Sequence, residues 1–384
     1  MKRIVLAGEA YSRNLGDQAI HACLKWLLEG SQPGLEVVSQ DISGRQSGFA
    51  TTPKRGIYQV IRQVPGSQWL QPILNQLRFK LSRARHTHTW SATLAGAQAL
   101  VIGGGQLLMD NALDFPLKVG SLAGLAERMH IPVYFSACGV GGHWSRQAKR
   151  LFEANLRGAL DISLRDGLSA RRLEQHLPGI ACSVSADPAI LAGEVFGWQP
   201  RQTNSGVIGL GVMDRQDANS QLPEGGRFTH RDWMELWSSV VTALSQIGFE
   251  MRLFSTGSSQ DEAFLDELFA SAREVHINGV ERVVTHVEVT NLLETLSGCQ
   301  VVVGTRLHAS ILANAIGIPS VGLTWDEKVK AYYQEAGLES RCLDIAGLLP
   351  GDLAQLCSQV GGEGFPPAVL GRLKDNARRN AIRF

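Results

Sequence analysis

The sequence predicts an α/β protein with two doubly wound parallel domains that face a cleft. Short runs of β-branched and aliphatic residues alternate with helical patterns, and the alternation restarts after a polar linker at residues 193–204. The chain has 384 residues, more than one ordinary hydrophobic core organises. We therefore place the first domain at 1–195 and the second at 205–365, with 366–384 as a terminal helix able to pack back on the first domain.

Short apolar runs have the length and composition of strands that are buried on both faces of a sheet. They lie at residues 4–7, 37–39, 99–102, 131–136, 161–164, 207–211, 251–255, 301–303 and 320–323. Helices are expected at residues 17–29, 230–248, 260–271, 289–298, 326–336, 351–360 and 367–383.

The composition excludes several classes of protein. Hydrophobic residues make up 44% of the chain and charged residues 19%, which is typical of a soluble globular protein. The net charge of +1 gives no global attraction to nucleic acid, so no nucleic-acid partner is expected. Because no signal peptide or membrane-spanning run is recognised, we expect a cytoplasmic protein. The six cysteines form no C-x-x-C pair, which argues against a zinc site, and the reducing cytoplasm that we expect favours free thiols.

The strongest candidate site follows the predicted strand at 301–303. A helix is expected to begin there, with Thr305 as its N-cap and Gly317 just past its end. Arg306 and His308 then lie in the first turn of a helix, at the carboxyl end of a parallel strand. Ligands of open α/β sheets bind at this edge.

Both residue types suit an anionic substrate. The unpaired N–H groups and the macrodipole at a helix N-terminus favour an anion. Arg306 can bind a carboxylate or phosphate with two parallel hydrogen bonds, and His308 can donate a proton near neutral pH. Alternatively, Arg306 pairs with a surface carboxylate, and His308 is a hydrogen-bonded core histidine.

Further candidates follow other predicted strands. Arg165 and Asp166 come directly after one strand, where Arg165 can bind an anion or form a structural pair with Asp166. Asn14, Gly16 and Asp17 end the loop after the first strand, and Asp17 can either cap the next helix or bind a hydroxyl group.

Three consecutive glycines, Gly103, Gly104 and Gly105, follow the predicted strand at 99–102. Glycines at a strand end suit a backbone cradle for a ligand, and a plain tight turn is the alternative.

Together these motifs resemble those of the polysaccharide pyruvyl transferase family. The matching elements are N-x-G-D at 14–17, G-G-G at 103–105, S-L-R-D-x-x-S at 163–169, D-P at 187–188, G-T-R-L-H at 304–308, A-x-x-x-G-x-P at 313–319 and W-D-E-K at 325–328. One loop departs from the family pattern, because Gly142 and His143 stand where a proline is expected.

The resemblance implies two Rossmann-like domains in a glycosyltransferase B-like fold, with the acceptor on the first domain and the donor on the second. It implies an enzyme that moves the enolpyruvyl group of phosphoenolpyruvate onto a sugar, forms a pyruvate ketal and releases phosphate. Arg165, Arg306 and His308 match the family's catalytic donor-site residues. Substrate binding is expected from Asn14, Gly16, Asp17, Gly103, Gly104, Gly105, Asp166 and Lys328.

Phosphoenolpyruvate would act as a co-substrate, with no metal and no other cofactor. The partner would be a saccharide acceptor that can be carried on a polyprenyl diphosphate. His308 is the best candidate for the acid that protonates the methylene carbon, whereas Asp17, Asp166 and Asp326 are alternative bases for the attacking hydroxyl group.

A basic insertion at 43–95 differs in character from the rest of the first domain. Residues 42–109 contain eight Lys or Arg residues and no Asp or Glu, and apolar residues recur there at helical spacing. Such a segment can contact an anionic membrane peripherally, through residues 54–85, or it can be a solvated face over a core stripe. The cations expected to contact the inner leaflet are Arg78, Lys80, Arg83 and Arg85.

Two other functions fit the predicted fold. Many nucleotide-sugar glycosyltransferases carry E-x7-E ahead of G-x-P, but Gly304 and Leu312 stand at those two positions. Loss of Arg165, Arg306 or His308 would have indicated a non-catalytic sugar-binding protein, and all three residues are present.

Overall fold

The computed structural model describes residues 2–45, 71–199, 201, 203–222, 226–283 and 288–381. Part of the predicted basic insertion, residues 46–70, lies outside the described residues together with Lys54, Arg55 and Arg62. The chain divides into two compact units. Unit 1 comprises Met1–Ser12, Ile20–Pro188 and Asn376–Phe384, and unit 2 comprises Arg13–Ala19 and Ala189–Asp375.

The units divide after Pro188, ahead of the expected boundary at residue 195, because the segment after Pro188 packs within unit 2. A Cβ on Gly193 would lie 2.6 Å from the Ala315 carbonyl oxygen, and the Lys374 ammonium lies 3.2 Å from the Glu194 carboxylate. The terminal helix, Pro367–Arg378, also belongs largely to unit 2.

The last described residues return to unit 1. The side-chain oxygen of Asn380 accepts hydrogen bonds of 2.6 Å from the hydroxyl groups of both Ser163 and Ser185. Its amide nitrogen donates to the Ala186 carbonyl oxygen at 3.0 Å. Asn380 is fully buried, so these bonds hold the end of the chain against the first sheet.

Unit 1 is built on a parallel sheet. Its strands are β1 (Lys2–Gly8), β2 (Leu35–Asp41), β3 (Ala99–Leu108), β4 (Val133–Val140), β5 (Asp161–Leu164) and β6 (Ser183–Val184). Their order across the sheet is β2-β1-β3-β4-β5-β6, and Ile4 of β1 is in register with Val37 on one side and Ala99 on the other. Because the strands are parallel, their carboxyl ends meet at one edge.

Helices cover this sheet. They are α1 (Leu15–Ser31), whose first turn belongs to unit 2, then α2 (Gln71–Leu94), α3 (Asp114–Arg128), α4 (Arg146–Arg157) and α5 (Gly167–His176). The sequence analysis does not predict α3 and α4. The helix α4 is mostly polar and buries only Ala148, Phe152 and Leu156, which follow one another at the four-residue spacing of a helix face.

The three glycines of the predicted cradle lie inside β3 and are buried. A Cβ on Gly103 would lie 2.4 Å from the Ser136 carbonyl oxygen, and a Cβ on Gly104 would lie 2.6 Å from Ile20. Gly104 and Gly105 have φ values of +78° and +84°, and the register with β4 shifts after Gly105. The prediction that these glycines follow the end of a strand is therefore wrong. They let β3 bend while it packs closely on β4 and α1.

Unit 2 repeats this architecture. Its strands are β7 (Val207–Gly211), β8 (Glu250–Phe254), β9 (Val280–Arg282), β10 (Val301–Gly304), β11 (Ser320–Thr324) and β12 (Cys342–Asp344), in the order β12-β11-β10-β7-β8-β9. Its helices are α6 (Ala192–Val195), α7 (Arg215–Asn219), α8 (His230–Gln246), α9 (Ser259–Glu274), α10 (Val289–Ser297), α11 (Leu307–Ala315), α12 (Glu327–Ala336), α13 (Pro350–Glu363) and α14 (Pro367–Arg378). The sheet is parallel throughout its described pairs, as the apolar strand pattern predicts.

Among the described residues, no helix has the length and apolar character needed to cross a membrane. All six cysteines are free thiols.

Candidate active site

The turn between β10 and α11 positions the first two candidate residues. Arg306 occupies the cap position with extended backbone angles, and His308 lies in the first turn of the helix. The predicted N-cap, Thr305, does not cap the helix, because its hydroxyl group donates at 2.7 Å to the Gly211 carbonyl oxygen on the neighbouring strand β7. Thr305 therefore ties the turn to the sheet. Gly317 follows the end of the helix with a φ of +81°, as predicted.

Arg306 is held by two carboxylates of very different exposure. Its Nε and Nη2 donate to the two oxygens of Asp261, at 2.5 and 2.9 Å, and Nη2 also donates to Asp217 at 2.7 Å. The Asp261 side chain is fully buried, whereas that of Asp217 is 54% exposed. These bonds use three of the five N–H groups of a guanidinium, and the pair on Nη1 takes no part in them.

The electrostatics of this cluster depend on burial. Burial by itself lowers the pKa of the Arg306 guanidinium, but the hydrogen bonds and the charge of Asp261 outweigh this effect and leave the pKa raised. Burial raises the pKa of the Asp261 carboxyl group above its usual value, although the bonds from Arg306 act in the opposite direction. Asp261 also accepts the backbone N–H of Asp214 at 2.9 Å, so it is anchored at both oxygens.

The segment at 13–17, which includes the start of α1, packs against the His308 side chain. A Cβ on Gly16 would lie 2.3 Å from Cγ and Nδ1 of the His308 ring, so only glycine fits there. The same segment is held by a bond from Leu15 N–H to the Thr256 carbonyl oxygen at 2.9 Å. Gly257, with a φ of +106°, allows the Arg13 carbonyl oxygen to approach closely. The predicted residues Asn14, Gly16 and Asp17 therefore group with His308 in unit 2.

Asn14, not Asp17, stands at the start of the first helix. The Asn14 side-chain oxygen accepts the N–H of Gly16 at 3.0 Å, and its carbonyl oxygen accepts the N–H of Asp17 at 3.1 Å. Because α1 begins at Leu15, Asp17 lies within the first turn and is not the N-cap. The capping alternative for Asp17 is therefore wrong.

The W-D-E-K element packs beside the same turn. The indole N–H of Trp325 donates to the Thr305 carbonyl oxygen at 2.6 Å, just before Arg306. The Lys328 ammonium lies 5.0 Å from the centroid of the Trp325 ring and 3.1 Å from the Asp326 carboxylate. Asp326 caps α12 by accepting the N–H of Lys328 at 3.0 Å. Lys328 is thus a cation held close to the Arg306 turn.

In unit 1, Arg165 follows β5 in the same way but is enclosed. Its side chain is only 5% exposed, and its Nε donates to Asp166 at 3.0 Å. Its Nη1 lies 3.7 Å from Asp187, whose side chain is 6% exposed. Asp166 also caps α5 by accepting the N–H of Ser169 at 2.6 Å. Burial by itself would raise the pKa of Asp166, but the charge of Arg165 and the bonds from Ser169 outweigh it and lower the pKa.

A family model described as polysaccharide pyruvyl transferase matches residues 14–327, which is most of the chain. The chain belongs to the polysaccharide pyruvyl transferase family. The matched range contains Arg165, Arg306 and His308, and it ends one residue before Lys328. Family membership confirms the resemblance that the motifs indicate.

The chain is similar in sequence to a curated relative, the amylovoran biosynthesis protein AmsJ of Erwinia amylovora. It is 21% identical to this chain over 275 residues. The alignment covers 66% of this chain and 63% of AmsJ, so the chain matches less than two thirds of the length of that relative.

Several solved structures share the fold. A putative UDP-N-acetylglucosamine 2-epimerase from Listeria monocytogenes has a TM-score of 0.54 at 10% identity, covering 99% of this chain and 93% of that one. The UDP-GlcNAc 2-epimerase from Methanocaldococcus jannaschii has a TM-score of 0.52 at 11% identity, covering 99% and 98%. Sucrose-phosphate synthase from Thermosynechococcus elongatus has a TM-score of 0.52 at 14% identity, covering 99% and 94%. At these identities the likeness shows the fold alone, and it confirms the predicted glycosyltransferase B-like class.

The sequence analysis missed the two carboxylates that hold Arg306. Asp261 lies in the first turn of α9, just beyond the carboxyl end of β8. Arg306 was predicted because ligands of open α/β sheets bind at the carboxyl ends of strands, and the same argument applies to Asp261. Asp217 lies on a five-residue helix, α7, and no pattern in the sequence indicates it. Among the described residues, no group of three or more His, Cys, Asp or Glu side chains is arranged to hold a metal ion.

Proposed function

We propose that this protein transfers the enolpyruvyl group of phosphoenolpyruvate onto a sugar of a polysaccharide or of a lipid-linked precursor, such as one on polyprenyl diphosphate. The observation that carries the proposal is the Arg306 cluster. One carboxylate, Asp261, is buried and orients the guanidinium, whereas the second, Asp217, is exposed and can be exchanged for the anion of a substrate. His308 lies two residues further along, in the first turn of the same helix.

In this mechanism Arg306 binds the carboxylate or the phosphate of phosphoenolpyruvate, and Lys328 adds a second positive charge beside it. His308 donates a proton to the methylene carbon, which becomes a methyl group and leaves an oxocarbenium-like centre at C2. One sugar hydroxyl group attacks C2, and a second closes the ketal as phosphate leaves. Of the two hydroxyl protons, one replaces the proton given by His308 and the other leaves with the phosphate.

We assign the role of the base to Asp17 because of its position: it directly follows Gly16, which packs on the His308 ring within unit 2. Asp166 and Asp326 are the alternative bases, of which Asp166 caps α5 and pairs with Arg165, and Asp326 caps α12 and pairs with Lys328. Asp17→Asn should lower turnover while leaving the affinity for phosphoenolpyruvate unchanged.

The role of Arg165 as a second contact to the anion stays a prediction from the family motif. Metal independence also stays a prediction, and a chelator titration during turnover measures it directly.

The deciding experiment compares donors. Phosphoenolpyruvate at millimolar concentration should raise the melting temperature of the full chain, since a ligand at about a hundred times its Kd stabilises by about 2.7 kcal/mol. A nucleotide sugar such as UDP-glucose should not do so. A shift with UDP-glucose alone would identify a glycosyltransferase instead. Phosphate release that depends on a vicinal or 1,3-diol glycoside then separates turnover from mere binding by a non-catalytic protein.

Arg306→Ala tests the same assignment. Removing a cation that pairs with a buried anion costs about 2–5 kcal/mol, or about 30- to several-thousand-fold, so the KM for phosphoenolpyruvate should rise and turnover should fall. The matched control is Arg231→Ala, because the Arg231 side chain is 85% exposed and pairs with Glu235 on the surface of unit 2. Equal kinetics in the two variants would remove Arg306 from the donor site.

A further inference from the structure

The helix α2 exposes an apolar stripe. Ile73, Leu77 and Leu81 are 50%, 51% and 87% exposed, and they follow one another at four-residue spacing along one face. Leu160, in the connection between α4 and β5, is also exposed, as single apolar surface residues commonly are. A row of three large apolar side chains along one helix is instead typical of an interaction surface.

The opposite face of α2 is anchored in unit 1, so the stripe cannot turn inward without unpacking the helix. Trp90 and Leu94 are buried in the core, and the ring of His86 stacks on Trp90 at 5.2 Å and on Phe79 at 6.0 Å. The side-chain amide of Asn75 donates to a backbone carbonyl oxygen at 2.9 Å. At about 100° per residue, the stripe lies roughly opposite these buried residues.

Cations border the stripe on both sides. At about 100° per residue, Arg78 and Arg85 lie along one edge of it and Lys80 lies along the other. All three are exposed, and α2 contains no Asp or Glu. This is the arrangement of helices that lie in a membrane surface, where the apolar side chains enter the acyl boundary and the cations meet anionic headgroups.

A cavity of about 640 Å³ opens beside the stripe. Leu81, Arg78 and Arg85 line it together with Lys118 of α3, and the carboxylate among its lining residues is Asp114, which Lys118 contacts at 2.6 Å. Three cations against one carboxylate give the cavity a net positive charge. Leu81 belongs to both the stripe and the cavity, and the two arginines that border the stripe also line the cavity, so one amphiphilic molecule with a phosphate group can occupy both.

Charge decides between the candidate occupants. A second copy of this chain would bring the same cationic face against it, which repels. The segment 46–70, which precedes α2 in the sequence, carries Lys54, Arg55 and Arg62 with no Asp or Glu, so its composition also lacks the complementary charge. An anionic lipid supplies both the negative charge and the apolar region that the stripe requires.

We propose that α2 docks on the surface of an anionic lipid bilayer, with its apolar stripe at the acyl boundary and a lipid phosphate in the adjoining cavity.

Flotation of the full-length protein with phosphatidylcholine vesicles, with and without phosphatidylglycerol, tests the proposal. The protein should float with the anionic vesicles only, and less at high salt because the headgroup contacts are screened. The double variant Leu77→Ser, Leu81→Ser, the stripe variant, should bind the vesicles about tenfold more weakly or worse, since each Leu side chain that is buried in the bilayer contributes strongly to the binding free energy. The double variant Arg78→Ser, Arg85→Ser should lose about fivefold for each cation removed.

Controls use the same residue types elsewhere in unit 1. Leu160→Ser and Arg157→Ser remove an exposed apolar residue and an exposed cation, and both should float like the wild type. All substituted side chains are exposed, so the melting temperature without vesicles should not change. Because flotation needs neither donor nor acceptor, its failure would leave the proposed transfer reaction untouched.

Three outcomes would overturn the proposal. The first is equal flotation of the wild type and the stripe variant. The second is equal binding to vesicles with and without phosphatidylglycerol. The third is a concentration-dependent dimer, seen by sedimentation, that the stripe variant abolishes without any flotation, which would assign the face to a second copy. Inorganic phosphate distinguishes a free phosphate from a lipid phosphate as the occupant of the cavity. Failure of inorganic phosphate to release the protein from the vesicles would support the lipid source.

Discussion

Arg165 and Arg306 each follow a strand of a parallel sheet, β5 in unit 1 and β10 in unit 2, but they have different surroundings. Each follows a buried parallel strand and precedes a helix. Arg165 is 5% exposed and lies between two carboxylates that are almost as buried. Arg306 is 21% exposed, with one partner fully buried and the other 54% exposed. From this difference we expect the carboxylates of Arg165 to act mainly on the stability of unit 1, and we expect the exposed partner of Arg306 to be the contact that a substrate anion can replace.

The largest expected effect concerns His308, which lies on the Arg306 side of this comparison. His308→Ala should lower kcat by about 10²–10⁴-fold, the usual contribution of a general acid, with little change in the KM for phosphoenolpyruvate. Steady-state phosphate release measures both constants. The control is His143→Ala, since His143 is an exposed histidine of unit 1. Unchanged turnover in His308→Ala would remove its catalytic role.

The next effect concerns stability on the Arg165 side. Arg165→Met leaves the buried carboxylates of Asp166 and Asp187 without their cation, which should cost about 3–5 kcal/mol of unfolding free energy. Denaturant unfolding measures this loss. Arg157→Met removes a cation that is 54% exposed and should cost at most about 1 kcal/mol.

A second variant at this position, Arg165→Lys, separates a structural from a substrate-binding role. If Arg165 contacts the donor, Arg165→Lys should raise the KM for phosphoenolpyruvate while the free energy of unfolding stays near the wild-type value. A stability loss with an unchanged KM would assign Arg165 to the structure of unit 1 alone.

The pH dependence of stability tests the Arg165–Asp166 pair through the titration of the Asp166 carboxyl group. Because the pKa of Asp166 is lower in the folded protein than in the unfolded chain, the pair stabilises the fold above the pH at which an unfolded aspartate titrates. That contribution is lost as the pH falls through the folded pKa. Denaturant unfolding at a series of acidic pH values should show a shallower decline for Asp166→Asn than for the wild type. Parallel curves would contradict the coupling to Arg165.

The smallest expected effect concerns Asp217, the exposed partner of Arg306. A pair this exposed is worth about 0.2–1 kcal/mol, so Asp217→Asn should lower the KM for phosphoenolpyruvate by at most about fivefold, because the substrate anion no longer displaces a carboxylate. Asp266→Asn is the matched control, since Asp266 is 69% exposed and pairs with Arg282. A raised KM in Asp217→Asn would show that Asp217 helps to bind the substrate.

The sequence by itself determined the alternation of strands and helices, the strand–arginine–helix turns and the family. These features depend on local periodicity and on short motifs, which need no knowledge of distant residues. Local reasoning failed at the three glycines, because their close contacts are to Ser136 of β4 and Ile20 of α1, far away along the chain. The same holds for Thr305, whose hydroxyl group bonds to a strand almost a hundred residues earlier.

Only the tertiary structure decided what each arginine contacts. The partners of Arg306 lie 45 and 89 residues before it, and the glycine that packs on His308 is near the start of the chain. Such contacts depend on which strand ends share a sheet edge, and many strand orders satisfy the same local pattern. The exposure of the partner carboxylates is likewise set by the packing of whole helices and not by the residues beside the arginine.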